Sequence, residues 1–123
     1  MNKACLGAAL LVVAGCTSAS ASAINPSDDL HCAVVIRTLE KNAGQLGASR
    51  TVRKGLYVLQ TWYFSKLKPE RVHEAQGVFG TMKKAPQEVS SVGQQCSNRA
   101  FSDPGFRRWK SIASADFDSR VVR

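Results

Sequence analysis

A chain of 123 residues with 17 lysines and arginines against 9 aspartates and glutamates carries a formal net charge of +8. Once an N-terminal leader is set aside, about 100 residues remain, which is the size of one domain. Of the basic residues only Lys3 lies in the leader, so the remaining domain is strongly basic and favours anionic partners.

The first 23 residues have the pattern of an export signal. Lys3 gives a short positive segment, an apolar run extends from Ala4 to Gly15, and small residues lead to Ala23. The run of about 12 apolar residues is too short to span a bilayer, which needs about 20. Residues 1–23 are therefore predicted to be a signal peptide, which makes the domain periplasmic or secreted. No transmembrane helix is expected in the mature chain.

Two processing sites compete within this leader. The segment from Val13 to Cys16 resembles the lipobox of bacterial lipoproteins, which implies cleavage before Cys16 and lipid attachment to it. Residues 1–15 would then be the lipoprotein signal and residues 16–27 a tether. The resemblance also implies an outer-membrane anchor, because Thr17 replaces the aspartate that favours inner-membrane retention in that family. The alternative is ordinary cleavage after Ala23, which discards Cys16.

From residue 27 onward, apolar residues recur at helical spacing. Ser27 is predicted to cap a first helix that ends at Gly44. Its apolar positions are Cys32, Val35, Ile36, Leu39 and Ala43. Ser49 is predicted to cap a second helix, which should be the most buried one because its apolar stripe is the widest. That stripe consists of Val52, Leu56, Val58, Leu59, Trp62, Tyr63 and Leu67.

Prolines are expected to open the next two helices. The third begins at Pro69, and its apolar positions are Val72, Ala75, Phe79 and Met82. The fourth begins at Pro86, and its apolar positions are Val89, Val92, Cys96 and Ala100. A short final segment carries Phe106, Trp109 and Ile112, and residues 116–123 are expected to form a frayed tail. The sequence therefore predicts an all-α fold, a small bundle of four to five short helices over residues 28–115.

The cysteines predict one disulfide bond. Of the four, Cys5 and Cys16 lie in the leader, which leaves Cys32 and Cys96 in the domain. A lone pair in an oxidising compartment is expected to be oxidised. Both cysteines lie on predicted apolar faces, so the bond would join the first helix to the fourth. The sequence has no CxxC motif of the kind that redox or metal-binding cysteines commonly use.

Motifs for catalysis or metal binding are missing from the sequence. Glu70 and His73 form one Glu-x-x-His pair, but a carboxylate-bridged di-metal site needs a second copy, which the chain lacks. The HExxH, GxSxG and phosphate-loop patterns are absent as well. We therefore predict no catalytic residue, no metal site and no cofactor, and expect a protein that is not an enzyme. A small enzyme with an unrecognised site is the alternative.

Basic residues concentrate at two places, the start of the second helix and the segment from Phe106 to Lys110. Cations mixed with aromatic residues are typical of segments that lie on membrane surfaces. The expected partner is an anionic envelope surface (lipid or lipopolysaccharide) or an acidic protein, and no specific nucleic-acid motif is present. Alternatively, the charges are scattered and only keep the protein soluble. The candidate contact residues are Arg50, Arg53, Lys54, Arg107, Arg108, Trp109 and Lys110.

Taken together, these patterns predict an exported, non-enzymatic envelope protein that serves as a small binding or accessory module. In size, helicity and its single cysteine pair, the domain resembles small helical acid-stress chaperones of the bacterial periplasm. That resemblance is one of architecture, and it implies an alternative role as a periplasmic chaperone or stress-protection protein.

Overall fold

A computed structural model describes residues 23–121, which form α-helices joined by short loops and include no β-strand. The helices are α1 (Asp29–Gln45), α2 (Arg50–Ser65), α3 (Pro69–Val72), α4 (Ala75–Lys83), α5 (Pro86–Phe101) and α6 (Phe106–Val121). The predicted all-α bundle is confirmed. Ser49 caps α2 as predicted, because its hydroxyl accepts a hydrogen bond from the backbone N–H of Val52.

The cap of α1 is Asp28 and not Ser27, so this helix begins one residue later than predicted. The Asp28 carboxylate accepts hydrogen bonds from the backbone N–H groups of Leu30 and His31. It also lies 3.2 Å from the Arg71 guanidinium. Burial alone would raise the pKa of Asp28, but these hydrogen bonds outweigh burial and hold the pKa below its usual value. The charged cap therefore fixes the start of α1 and ties α3 to it.

The most buried helix is α1, so the prediction that α2 would be the most buried is wrong. Leu30 and all residues from 32 to 36 are buried, because α2, α4 and α5 all pack against α1. In α2 the first predicted core position, Val52, is exposed. The width of an apolar stripe shows how much of a helix surface is suited to burial. The burial that results depends on how many neighbouring helices pack against it.

The helix predicted to start at Pro69 is divided into α3 and α4 by a turn at residues 73–74. Val78 and Met82 are buried, whereas the predicted core residues Val72 and Phe79 are exposed. The prediction is wrong at those two positions because it assumed one continuous helix. The turn changes which side chains of the segment face the core.

The Cys32–Cys96 disulfide joins α1 to α5, as predicted. The two Cα atoms are 5.6 Å apart, and both cysteines are fully buried. Next to the bond, the hydroxyl of Tyr63 donates a hydrogen bond of 2.6 Å to the carbonyl oxygen of Cys96. The Arg99 guanidinium lies 4.9 Å from the centre of the Tyr63 ring and pairs with Asp29 at 2.9 Å. A covalent bond, a buried hydrogen bond and an ion pair thus fix one end of the bundle.

The last helix continues through residue 121, so the prediction of a frayed tail from residue 116 is wrong. Phe117 is buried, and its ring centre lies 5.5 Å from that of Tyr57 in α2. Asp118 accepts hydrogen bonds from Arg50 at 2.7 Å and from Lys54 at 3.1 Å. These contacts hold the last turns of α6 against α2, which a reading of the local sequence does not capture.

Residues 1–22 of the predicted signal peptide, the lipobox and the lipidation candidate Cys16 lie outside the described residues, whereas the alternative processing site after Ala23 lies at their start. Within residues 23–121, no helix is both long enough and apolar enough to cross a membrane.

Candidate anionic-surface site

A groove on one side of α6 combines an apolar floor with basic side chains. We call it the Phe101 groove. It has a volume of about 380 Å³, its floor is formed by the buried side chains of Val58, Leu59 and Phe106, and Lys54 and Lys110 lie at its edges. The groove exists because α6 lies along α2 and leaves part of the α2 surface uncovered.

Phe101 protrudes at this groove. Its side chain is 61% exposed, and its ring packs edge-to-face against Phe106 with 5.4 Å between the ring centres. The Lys110 ammonium lies 6.0 Å from the centre of the Phe101 ring. Arg107 lines an adjoining depression of about 510 Å³ together with Phe101 and Lys110. An exposed aromatic ring therefore lies among the basic residues Lys54, Arg107 and Lys110.

Acidic side chains close to this surface are already engaged by other groups. Asp103 lines the adjoining depression, where it accepts a hydrogen bond of 2.8 Å from the backbone N–H of Gly105. Asp103 also lies 3.9 Å from the Lys66 ammonium. Asp118 is shared between Arg50 and Lys54. Cations therefore outnumber carboxylates here, and the surface keeps a positive charge.

Of the seven residues predicted to contact an anionic surface, the structure brings three together: Lys54, Arg107 and Lys110. Arg50 lines neither depression, and it shares Asp118 with Lys54. Arg53 lines a different groove between α1 and α2. Arg108 is exposed and points about 160° away from Lys110 around the α6 axis, given 100° per residue.

Trp109 does not belong to this surface. Its indole Nε1 donates a hydrogen bond of 3.1 Å to the Thr61 hydroxyl, and its ring packs against Trp62 with 6.2 Å between the ring centres. The rotation of α6 turns this side chain towards α2 and away from the Phe101 groove. Phe101 takes the aromatic position that the sequence analysis gave to Trp109.

Phe101 was missed by the sequence analysis. It directly follows Ala100, the last residue of the apolar stripe of α5, and so lies just outside that stripe. An aromatic residue outside the apolar stripe of a helix does not face the core. That position is the signal that would have identified Phe101 as an exposed apolar side chain.

Neither histidine is placed in a coordinating cluster. His73 is exposed, and the Nδ1 atom of His31 accepts a hydrogen bond of 2.9 Å from the backbone N–H of Asn25. Among residues 23–121, no three His, Cys, Asp or Glu side chains come close enough together to hold a metal ion.

Comparison of the chain with protein families, with curated proteins and with solved structures found no match. No relative therefore contributes a residue role. The chemistry of the Phe101 groove is the basis on which a function is proposed.

Proposed function

We propose that this protein is an exported, non-enzymatic module of the bacterial envelope that binds anionic lipid surfaces through the Phe101 groove. The observation that carries the proposal is the exposed ring of Phe101 among Lys54, Arg107 and Lys110. Lipopolysaccharide and phospholipids both present phosphate groups above acyl chains, so both match this combination of cations and an apolar ring.

The energetics favour a membrane interface as the partner. Each Lys or Arg close to an anionic membrane contributes about 1 kcal/mol of attraction. An aromatic side chain that enters the boundary between headgroups and acyl chains adds the free energy of removing its surface from water. This transfer costs Phe101 little free energy, because its side chain is already 61% exposed and leaves no buried position. The cations and the ring therefore act on the same target.

Export is supported by the leader pattern and is compatible with the buried disulfide. If Cys16 carries lipid, the tether holds the domain beside the membrane, and the Phe101 groove then binds at a high effective concentration. If cleavage follows Ala23, the groove must provide the whole affinity. Under both routes the protein meets anionic lipid in the envelope.

Charge reversal at Lys110 is expected to weaken vesicle binding by at least tenfold, because Lys110→Glu changes the local charge by two units. Phe101→Ser should weaken binding as well, since it removes the apolar ring. The measurement is cosedimentation of the exported protein with phosphatidylglycerol vesicles, at low and at physiological salt. The protein carries Cys16→Ser, so that no attached lipid contributes to binding.

Arg108→Glu is the matched control, because it makes the same change of charge on the same helix but away from the Phe101 groove. We expect this variant to bind nearly as well as the parent protein. If Arg108→Glu and Lys110→Glu weaken binding equally, the attraction depends only on net charge. That outcome, or equal binding to neutral phosphatidylcholine vesicles, would contradict the proposal.

The intact mass of the protein recovered from a bacterial envelope tests the export part of the proposal. We expect a chain that begins either at Cys16 and carries acyl groups or at Ile24 and carries none. We also expect Cys32 and Cys96 to resist alkylation until a reductant is added. An uncleaved chain, or thiols that react at once, would contradict export to an oxidising compartment.

A further inference from the structure

The dimensions of the Phe101 groove match one extended hydrocarbon chain. Its α2 side extends from Thr51 to Leu59, and its α6 side extends from Phe106 to Ser114. Each of these segments is about 12 Å long, because an α-helix advances about 1.5 Å per residue. An extended chain advances about 1.2 Å per bond, so about ten carbons fit along the groove. The volume of about 380 Å³ is small for a ligand pocket and suits a single-chain molecule.

Gly55 lies in the middle of the α2 side of this groove, and nothing in the fold requires a glycine there. A Cβ atom at Gly55 would have no neighbouring helix within 4 Å, and the one described glycine with a positive φ is Gly47. A glycine inside a helix is destabilising relative to alanine. Because Gly55 lines the groove, a larger side chain at this position would fill it. A groove that stays open although this weakens the helix points to a ligand that uses the space.

The charges around the groove favour an anionic ligand. None of the residues that line it is acidic, whereas Lys54 and Lys110 lie at its edges. Lys54 shares Asp118 with Arg50, so two cations face one carboxylate. In the described part of the chain, neither Lys110 nor Arg107 has a carboxylate within ion-pair distance. A positive charge therefore remains beside the apolar floor.

Arg107 and Lys110 are placed to bind one headgroup together. They are three residues apart on α6 and so lie on the same face of the helix, with about 5–6 Å between their Cβ atoms. Both line the depression that adjoins the groove at Phe101. Asp103 lines this depression too, but it lies 3.9 Å from the Lys66 ammonium and accepts a backbone hydrogen bond. A phosphate group offers several charged oxygen acceptors, so one phosphate can accept hydrogen bonds from both basic side chains.

We propose that the Phe101 groove takes up one single-chain lipid that carries a phosphate group. The phosphate binds Arg107 and Lys110, and the hydrocarbon chain lies along the apolar floor and reaches Gly55. This inference rests on the proposed function, because it names a ligand for the groove that contacts anionic lipid surfaces. A second copy of the protein is not favoured as the occupant, since a net charge of +8 makes two copies repel each other.

The test is a titration of the exported protein, again with Cys16→Ser, with monoalkyl phosphates below their micelle concentrations. The backbone amide signals of Gly55 and Lys110 in ¹H–¹⁵N NMR spectra report binding. We expect affinity to rise about twofold to fourfold for each methylene between hexyl and decyl phosphate, because each methylene leaves water. Beyond decyl phosphate the affinity should level off, because a longer chain protrudes from the groove. An affinity that does not depend on chain length would overturn the proposal.

Two further compounds separate the chain from the headgroup. Decyl maltoside has the same chain without a charge, and butyl phosphate has the charge with a short chain. Each is expected to bind at least tenfold more weakly than decyl phosphate, because each lacks one of the two contacts. Equal binding of decyl maltoside would show that the cations do not select the headgroup, which contradicts the proposal. Binding of tetraglutamate as tight as that of decyl phosphate would identify an acidic protein as the occupant instead.

Gly55→Leu assigns the chain to the groove. Leucine fits the backbone of α2 and favours the helix, but its side chain fills the groove. We expect decyl phosphate to bind this variant at least tenfold more weakly than the parent. Gly80→Leu in α4 is the matched control, because a Cβ atom there also has no neighbour within 4 Å and Gly80 lies outside the groove. It should bind decyl phosphate normally. Normal binding by Gly55→Leu would refute the assignment.

Cosedimentation with phosphatidylglycerol vesicles separates a failure of this inference from a failure of the proposed function. Gly55→Leu retains Phe101, Arg107 and Lys110, so we expect it still to bind vesicles. If the parent protein binds vesicles but not decyl phosphate, binding to lipid surfaces stands and uptake of a chain is wrong. If the parent protein binds neither, the proposed function fails as well.

Discussion

Replacing Cys96 with alanine is expected to lower the free energy of unfolding by about 4 kcal/mol. The disulfide closes a loop between residues separated by 64 positions, and this loop restricts the unfolded chain much more than the folded one. Domains of this size have total stabilities of about 5–15 kcal/mol, so the variant loses a large part of its stability. Urea unfolding at neutral pH, followed by far-ultraviolet circular dichroism, measures the difference.

The double variant provides the internal control for this prediction. Cys32→Ala removes the same bond, so Cys32→Ala, Cys96→Ala and the double variant should have nearly equal stabilities, because two halves of one interaction are not additive. The parent protein after reduction should approach the same value. An unfolding curve for Cys96→Ala that matches the oxidised parent would mean that the bond contributes no stability.

Tyr63→Ala is expected to cost about 3–5 kcal/mol, the range for deleting a buried aromatic side chain. The Tyr63 side chain is fully buried between α1 and α5, where the ring also carries the guanidinium of Arg99. Removing it leaves a cavity beside the disulfide. The same urea unfolding experiment measures the loss, and the variant and the parent are compared at low temperature if the variant is largely unfolded at 25 °C.

Tyr63→Phe is the matched control, since it keeps the ring and removes only the hydroxyl. We expect it to cost about 1 kcal/mol, because one buried hydrogen bond to the Cys96 carbonyl is lost. If Tyr63→Phe destabilised the protein as much as Tyr63→Ala, the hydroxyl and not the ring would carry the stability of this site. That result would contradict the packing argument.

Local patterns in the sequence predicted much of the fold. The Ser49 cap and the proline at the start of α5 act within one turn of the chain, so a sequence analysis can locate them. The turn between α3 and α4 and the full length of α6 were missed. The last turns of α6 depend on Asp118 meeting Arg50, a contact between residues far apart in the sequence.

The candidate sites were less predictable than the fold. Lys54 and Lys110 were identified as basic residues, but their position at one groove depends on how α6 is rotated against α2. Phe101 lies next to the apolar stripe of α5 and not within it, so only the packing of α6 shows that its ring joins Phe106 beside these cations.

The covalent loop of this protein ends at Cys96, and α6 begins after it, at Phe106. Side-chain contacts such as those of Phe117 with Tyr57 and of Trp109 with Thr61 therefore hold α6 in place without any help from the disulfide. Because α6 forms one wall of the Phe101 groove, its local unfolding would abolish that groove while the cross-linked core stayed intact. The apparent affinity of the Phe101 groove is then scaled by the fraction of molecules in which α6 is docked.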